Sequence, residues 1–404
     1  MIIATAGHVD HGKTKLIEAI TGVNSDRLPE EKNRGMSIDL GFAYHDLGNG
    51  VILNFIDVPG HERFINNLLS GFSNVDLGLL VIAADDGPMP QTEEHLSILQ
   101  LLQVKNCIIV LTKIDKVNQK RLDNVCCLIK KMMHKTIFSD AEIFHISNKT
   151  SQGIDNLVSH LKIIALNYHY KEVKGNFRLS VDRRFLVKGA GIVITGTVVS
   201  GEVSVGEELI HSKSGESLKI RAIHSQSKKS KNGIQGHRCS LNITGQKITI
   251  DKISRGDWIL SKNVFFVTNR LDAVLSILKN EKKIFKHWTA IHLYLGSGNV
   301  TGRIAILGSF SINPGEKKIV QLVLDKPVHA VFDDKFVIRD ISSSRTIGGG
   351  YILDPFAKKN NNTNFRNFRS ERLKLISPNS SKIVLNNLLL HYIEGIGLKY
   401  FFNV

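Results

Sequence analysis

The sequence predicts a doubly wound α/β domain with a mostly parallel sheet, followed by two β-barrel domains and an incomplete helical C-terminal segment. Three observations predict it. A glycine-bounded loop joins the first strand to the first helix, apolar strand-length runs alternate with helix-length segments through residue 172, and period-two patterning begins at about Lys174.

Ile2 to Ala6 form the first strand, and Gly7-His8-Val9-Asp10-His11-Gly12-Lys13-Thr14 the loop after it. Gly7 and Gly12 allow a tight turn whose amides face a nucleotide's phosphates, Lys13 adds a point charge, and Thr14 offers a hydroxyl to Mg²⁺. The helix from Lys15 to Ile20 turns its N-terminus toward the same anion. Val51–Ile56, Leu77–Ala83, Asn106–Leu111 and Glu142–Ile146 read as further strands, with helix-length segments such as Gln91–Gln103 and Gln119–Lys135 between them. In such a sheet the ligand sits at the carboxyl ends of the strands.

Residues at those ends carry chemistry. Asp57-Val58-Pro59-Gly60 follows the second strand, with Asp57 placed to hold Mg²⁺ through a water and the Gly60 amide able to meet a γ-phosphate. Thr112-Lys113-Ile114-Asp115 follows the next but one. There the Asp115 carboxylate can accept from guanine N1 and N2 while the Lys113 stem lies along the base; adenine would set an acceptor against that carboxylate. Ser147-Asn148-Lys149 follows the last strand, where a backbone amide can reach guanine O6. An Asp after a strand is usually a cap, yet these words occur in order, each after a predicted strand. They select GTP and make the first domain an α/β P-loop GTPase domain.

Composition narrows the rest. The 53 Lys and Arg against 37 Asp and Glu give a net charge of +16, which favours a polyanionic partner, nucleic acid first, or else reflects a lysine- and asparagine-rich bias that solvates the surface. No uninterrupted apolar run is long enough to cross a bilayer, so no membrane association is expected. Met1 leads straight into the phosphate loop, which excludes a secretory leader, and Cys107, Cys126, Cys127 and Cys239 show no metal-ligand spacing; reduced thiols in a cytoplasmic protein are expected.

The words GHVDHGKT, RGMSID (Arg34 to Asp39), DVPGHERF (Asp57 to Phe64), DDGPMPQTEEH (Asp85 to His95) and TKID resemble those of translational GTPases. Gly22 to Lys32 with Arg34 to Gly41 is more closely similar to the selenocysteine-specific elongation factor family, over about the first 355 residues, with elongation factor Tu as the nearest relative outside it. The resemblance implies that Ser37 binds Mg²⁺ through its hydroxyl in the GTP state, that His61 orients the attacking water, and that Val9 and Met36 gate it. Lys15, Thr112 and Asn148 depart from the usual residues without excluding GTP.

From Lys174, Phe177, Leu179 and Val181 alternate with polar residues, as do Phe185 and Val187. Turns at Gly189–Gly191, Gly201 and Gly206 separate the runs Ile192–Val198, Gly206–Ile210 and Gly256–Leu260. A second β-rich block runs from about Phe265 to Pro355, with strands at Ala290–Leu295, Thr301–Leu307, Lys318–Leu324 and Lys335–Arg339. The expected domains are 1–172 (GTP), 173–262 (first barrel, aminoacyl pocket), 263–357 (second barrel, tRNA contact) and 358–404 (linker and truncated winged-helix-like segment).

By the same resemblance Asp182, Arg183, Arg221 and His224 line an aminoacyl pocket. A selenol is an anion at neutral pH where a serine hydroxyl is not, so partly buried arginines would select it. The competing view makes Arg183 and Arg221 surface charges paired with Asp182. Lys228, Lys229 and Lys231 read as a basic loop that can touch tRNA phosphates or is simply solvated. The tail from Lys358 to Asn364 reads as a polar linker, and Leu385, Leu388, Leu389, Tyr392 and Ile393 recur at helical spacing between Ser380 or Ser381 as cap and Gly395 as stop.

The implied activity is GTP-dependent binding of selenocysteinyl-tRNA by a monomer and its delivery to the ribosome at recoded UGA codons, with ribosome-stimulated hydrolysis. An mRNA hairpin as partner is in question, because the chain ends at Val404 before a winged-helix unit is complete. The alternatives are a non-catalytic GTP-dependent tRNA-binding module unable to decode and a general aminoacyl-tRNA elongation factor.

Overall fold

The computed structural model describes residues 1–359 apart from 27, 35, 49, 62–63, 73, 169–172 and 174, together with 369–371 and 373–374; of residues 32–34 it describes the backbone only. It contains two compact units, Met1–Glu172 and Val173–Val404.

The first unit runs β1 (Ile2–Ala6), α1 (Lys13–Thr21), α2 (Pro29–Arg34), β2 (Gly41–Asp46), β3 (Ile52–Asp57), α3 (Ile65–Phe72), β4 (Leu77–Ala83), α4 (Pro90–Leu101), β5 (Asn106–Thr112), α5 (Gln119–Met133), β6 (Ile143–His145) and α6 (Ile154–Asn167). The sheet order is β2-β3-β1-β4-β5-β6, all neighbours parallel except the antiparallel edge pair β2 and β3. Every residue of β4 is buried, as a strand covered on both faces must be. Ile3, Leu79 and Val110 pack with Leu16 and Ile17 of α1 and Leu157 and Leu161 of α6. The strand β2 is not foreseen from the sequence, because its buried positions, Gly41 and Ala43, are too small to mark an apolar face, while Phe42 and Tyr44 lie on the more open one.

The second unit begins with β7 (Arg178–Val187), β8 (Gly191–Ser200), β9 (Glu202–Ser204), β10 (Glu208–His211), β11 (Ser217–Ser225), β12 (Lys228–Ser230), β13 (Asn232–Ile234), β14 (Arg238–Thr244) and β15 (Trp258–Leu260). Six of these close a ring, β10-β15-β7-β8-β14-β11, through the pairing of Leu209 with Leu218; β9 and β13 form a separate ribbon. Alternate residues Leu179 and Val181, Ile220, Leu241 and Ile259 fill the interior. The basic loop expected at Lys228–Lys231 is instead partly strand, since β12 pairs with the end of β11.

There follow β16 (Thr268–Ile277), β17 (Phe285–Lys286), β18 (Thr289–Leu295), β19 (Gly298–Ile306), β20 (Ser311–Ile312), β21 (Lys317–Val328), β22 (Lys335–Asp340) and β23 (Thr346–Asp354). Six close a second barrel, β16-β21-β19-β18-β22-β23, around Leu271, Leu293, Ile304, Leu322, Ile338 and Ile352, while β17 and β20 pair outside it. Arg178 of the first barrel meets Asp334, in the turn between β21 and β22 of the second, with both guanidinium ends, at 3.2 and 2.6 Å, and donates to His329 Nε2 at 3.1 Å. Its guanidinium also lies 4.7 Å over the Trp258 ring.

Residues 369–371 and 373–374 are helical and pack on the second barrel. Arg369 bridges Asp272 and Asp354, and Leu373 joins Leu307, Ile319 and Leu353. The helix expected around residues 380–395 lies outside the described residues. Among the described residues no helix is long and apolar enough to cross a membrane.

Candidate nucleotide and aminoacyl sites

The loop from Gly7 to Thr14 joins β1 to α1, and its Val9, Asp10, Gly12, Lys13 and Thr14 line a cavity of ≈ 420 Å³ with Met36, Ser37 and Gly60. Gly7 sits at φ +130°, and a Cβ there would lie 2.1 Å from the Val81 carbonyl oxygen, so no other residue fits without moving the sheet. Lys13 Nζ donates to the carbonyls of Gly7 at 3.1 Å and His8 at 2.7 Å, curling the loop around its own ammonium. Burial lowers the Lys13 pKa to about 8, against the pull of Asp57. A cation held in so little solvent is ready to meet an anion.

At the mouth of α1 five oxygen-bearing side chains converge. Thr14 Oγ1 donates to Asp57 Oδ2 at 2.6 Å and lies 3.0 Å from Ser37 Oγ. Ser37 donates to Asp26 at 2.7 Å, and Ser25 donates to Asp57 at 2.6 Å. Thus the three residues expected at the metal, Thr14, Ser37 and Asp57, are brought together. Two hydroxyls beside a carboxylate, all hard oxygen donors, fit Mg²⁺ and suit no soft metal. Burial raises the Asp26 pKa, the Ser37 hydrogen bond opposing it.

Gly60 is pressed against the loop: a Cβ there would meet Lys13 Nζ at 2.5 Å and the Val9 amide nitrogen at 2.6 Å. His61 follows it, half-buried, with its ring 6.1 Å from that of Phe64. Val9 and Met36 both line the cavity.

At the other end of the loop, the Thr112 hydroxyl donates to the His11 carbonyl at 2.7 Å, so this departure from the usual residue still ties β5 to the loop. Asp115 is exposed and accepts from Ser147 Oγ at 2.6 Å, a hydrogen bond that lowers its pKa. Lys113 adopts φ +56° and pairs with Asp85 at 3.5 Å. The Asn148 amide reaches the Gly12 carbonyl at 3.4 Å, and Lys149 is exposed beside it. His8 and His11 pack edge to face at 5.1 Å; burial holds His11 neutral, with its pKa down to about 4. Lys15 pairs with Glu18 on the open face of α1 at 2.7 Å and leaves the loop undisturbed.

Two supports of this site are not named by the sequence reading. Glu31 is buried and accepts from the amides of Leu28, Ile38 and Asp39 at 2.9, 3.0 and 3.0 Å, tying these three to one carboxylate at the lining of the cavity. His95 of α4 accepts from the Gly7 amide at 2.8 Å. Both lie inside motif words, but nothing in their spacing reveals the backbone groups they meet.

In the first barrel, Asp182 and Arg183 sit at a bulge in β7 and Arg221 at a bulge in β11; Arg183 faces Thr195, which faces Ser240, which faces His224. Asp182 is not paired with Arg221, contrary to the competing view. Its partner is Arg238, which grips it with Nε and Nη2 at 2.9 Å each and reaches Thr195 at 2.9 Å. Arg221 and His224 are exposed, Arg183 half-buried. Arg238 is missed from sequence because its partner lies 56 residues away on a strand that is not its neighbour.

Residues 1–166 match the model of the elongation factor Tu GTP binding domain, and residues 272–359 that of the selenocysteine-specific elongation factor β-barrel domain. The chain is 41% identical over 353 residues to the selenocysteine-specific elongation factor of Escherichia coli, covering 87% of this chain and 55% of that one. With the selenocysteine-specific elongation factor of Methanocaldococcus jannaschii it shares 30% identity over 321 residues, 78% of this chain and 68% of the relative. The crystal structure of a bacterial selenocysteine-specific elongation factor superposes with a TM-score of 0.85 at 32% identity, over 99% of this chain and 65% of that one. That of SelB from Methanococcus maripaludis with the GTP analogue GppNHp gives 0.77 at 27%, over 88% and 79%. The chain thus spans little more than half the length of the Escherichia coli relative. On these matches, the chain belongs to the family of selenocysteine-specific elongation factors.

Proposed function

We propose that this chain is a GTPase that binds selenocysteinyl-tRNA in its GTP state and delivers it to the ribosome, acting as a monomer in the cytoplasm. One observation carries the reading: Thr14, Ser37 and Asp57 meet at one point beside Lys13, which is the oxygen set a Mg²⁺–GTP complex requires. Mg²⁺ supplies charge neutralisation on the phosphates when bound.

The chain's own groups do the rest. Lys13 and the amides from His11 to Thr14 hold the phosphates, Gly60 offers its amide to the γ-phosphate, and Asp115 with Lys113 and the Ser147–Lys149 turn selects guanine. His61 orients the water for in-line attack, admitted between Val9 and Met36. Ser37 links the γ-phosphate state to Leu28, Ile38 and Asp39, which Glu31 ties together. In the first barrel, Asp182, Arg183 and Arg238 form the charged corner that favours a selenolate over a serine hydroxyl, with Arg221 and His224 at its open side. The second barrel carries tRNA.

The test is twofold. GTP hydrolysis is measured with and without ribosomes for the wild type and His61→Ala, and binding of the GTP form to one tRNA carrying selenocysteine or serine is compared. Ribosome-stimulated turnover lost in His61→Ala and a strong preference for the selenocysteine form are expected. Turnover that ribosomes leave unchanged sinks the delivery reading, and equal binding of the two tRNAs makes the chain a general carrier.

A further inference from the structure

Outside the sites above, the second barrel carries an exposed aromatic cluster in a lysine-rich stretch. Trp288 is 46% exposed and Phe310 is 70% exposed. Between them His287 lies stacked on Trp288, centroids 6.1 Å apart and planes at 27°, and edge-on to Phe310 at 5.8 Å. The three rings are locked together by backbone: the His287 amide donates to the Phe310 carbonyl at 2.8 Å and His287 Nδ1 accepts from the Ile306 amide at 3.0 Å.

Trp288 itself adopts φ +68°, a conformation that L-residues with bulky side chains rarely take. Its amide donates to Ile304 at 2.7 Å and its carbonyl accepts from Arg303 at 3.2 Å, so the turn is held from both sides. A left-handed tryptophan kept half in water contributes little burial in return, and such conformations concentrate where a surface meets a ligand.

Charge identifies the ligand. Lys282, Lys283 and Lys286, in the segment that leads into His287 and Trp288, and Arg303, which donates to the Trp288 carbonyl, are all exposed. The one carboxylate in the segment 279–289, Glu281, is 6% exposed at its side chain and already held by Arg345 at 3.1 Å, so it does not offset them. Apolar protein interfaces exclude lysine from their centres. Aromatic faces set among lysines are the surface on which unstacked bases lie while the backbone phosphates meet the cations.

We propose that the Trp288–His287–Phe310 cluster is a stacking platform for one or two unpaired bases of a single-stranded RNA, with Lys282, Lys283, Lys286 and Arg303 on its phosphates. This contact goes beyond the aminoacyl and nucleotide sites and requires neither an aminoacyl group nor GTP.

The chain has two tryptophans, and Trp258 is only 5% exposed, so quenching of the emission reports on Trp288. The whole chain, without nucleotide, is titrated with a single-stranded RNA of about ten nucleotides at low salt. Saturable quenching is expected, weakening as salt rises. Phe310→Ala, which removes an exposed ring and leaves the fold intact, should weaken binding roughly tenfold, the loss of one stacked base. A blunt-ended RNA duplex should compete poorly. No quenching, Phe310→Ala binding as the wild type does, or equal competition by duplex each overturns the platform. So does a self-association of the chain that Phe310→Ala abolishes while RNA fails to bind, which would make the patch a protein interface. None of these outcomes bears on the GTPase reading.

Discussion

The Gly7 amide donates to His95 Nδ1 at 2.8 Å, and four residues earlier on the same helix Gln91 Oε1 accepts from the Val9 amide at 3.5 Å. One edge of α4 therefore holds alternate amides of the phosphate loop, since i and i+4 share a helix face. The His95 ring must be neutral at Nδ1 to accept, and burial lowers its pKa well below the ordinary histidine value, with Lys13 and His8 adding to the effect. The Phe72 ring of α3 stands edge-on to it at 6.3 Å and fixes its plane.

His95→Leu keeps the volume but leaves the Gly7 amide buried without an acceptor, a penalty of about 1–3 kcal/mol. The strain falls on the loop that holds the phosphates. GDP and GTP affinity, measured by equilibrium fluorescence of a labelled nucleotide, should drop together by up to about 5- to 160-fold, which is that penalty expressed as a ratio. His95→Asn, with an oxygen near the Nδ1 position, should recover much of it. Unchanged nucleotide affinity in His95→Leu would mean that the contact merely packs the helix.

The bidentate grip of Arg238 on Asp182 makes a second prediction. Arg238→Ala removes two charge-assisted hydrogen bonds and, if the proposed aminoacyl pocket lies there, leaves the Asp182 carboxylate facing it, where it would repel a selenolate. Affinity for selenocysteinyl-tRNA should fall about ten- to a hundredfold, while that for the serine form changes little. Arg183→Ala should act in the same direction. Equal losses for the two tRNAs would assign Arg238 a structural role only.

How far the sequence carried the reading depends on the range of each interaction. The placement of the phosphate loop, Asp57 and Asp115 at strand ends was legible because these short words follow apolar runs, where order along the chain fixes position. The barrels were legible as alternation at Leu179, Val181 and their neighbours, but ring closure was not, since it rests on pairings such as Leu209 with Leu218 across a turn and on β7 beside β15. Arg238, Glu31 and His95 escaped because each acts on a partner that only the fold supplies: a carboxylate two strands away, or backbone amides that any residue has. Arg221 was singled out by the family resemblance alone, and at its bulge in β11 it is exposed.

Between the barrels, Arg178 holds Asp334 by a double hydrogen bond with both partners largely buried. Removing one member of such a pair leaves the other charge stranded, at about 3–5 kcal/mol. Arg178→Ala should lower the urea midpoint of the second unit by a corresponding amount and expose Trp258, whose ring the guanidinium covers. Arg178→Lys restores charge but not the fork, so recovery should be partial. A midpoint equal to that of the wild type would show that the pair contributes nothing to holding the barrels together.

His329 lies behind that pair. Its Nδ1 is 3.1 Å from the Phe266 carbonyl and its Nε2 accepts from Arg178, so the ring is neutral with its proton on Nδ1. Burial, then the neighbouring guanidinium, holds its pKa down to about 3, against an ordinary value of 6.5. The groups facing it are Arg178 and, through it, Asp334. Because the folded pKa is depressed, the unfolded chain binds a proton between pH 6.5 and about 3 that the folded chain refuses. Stability from this group is therefore complete above pH 6.5 and is lost progressively as pH falls toward 3, by up to about 1.4 kcal/mol per pH unit. His329→Gln keeps an acceptor within reach of Arg178 but cannot titrate. Its unfolding free energy, measured by urea from pH 7 to pH 4, should decline less steeply than that of the wild type, the two curves converging at low pH. Parallel curves would mean that His329 takes up no extra proton on unfolding and that acid sensitivity resides in the carboxylates.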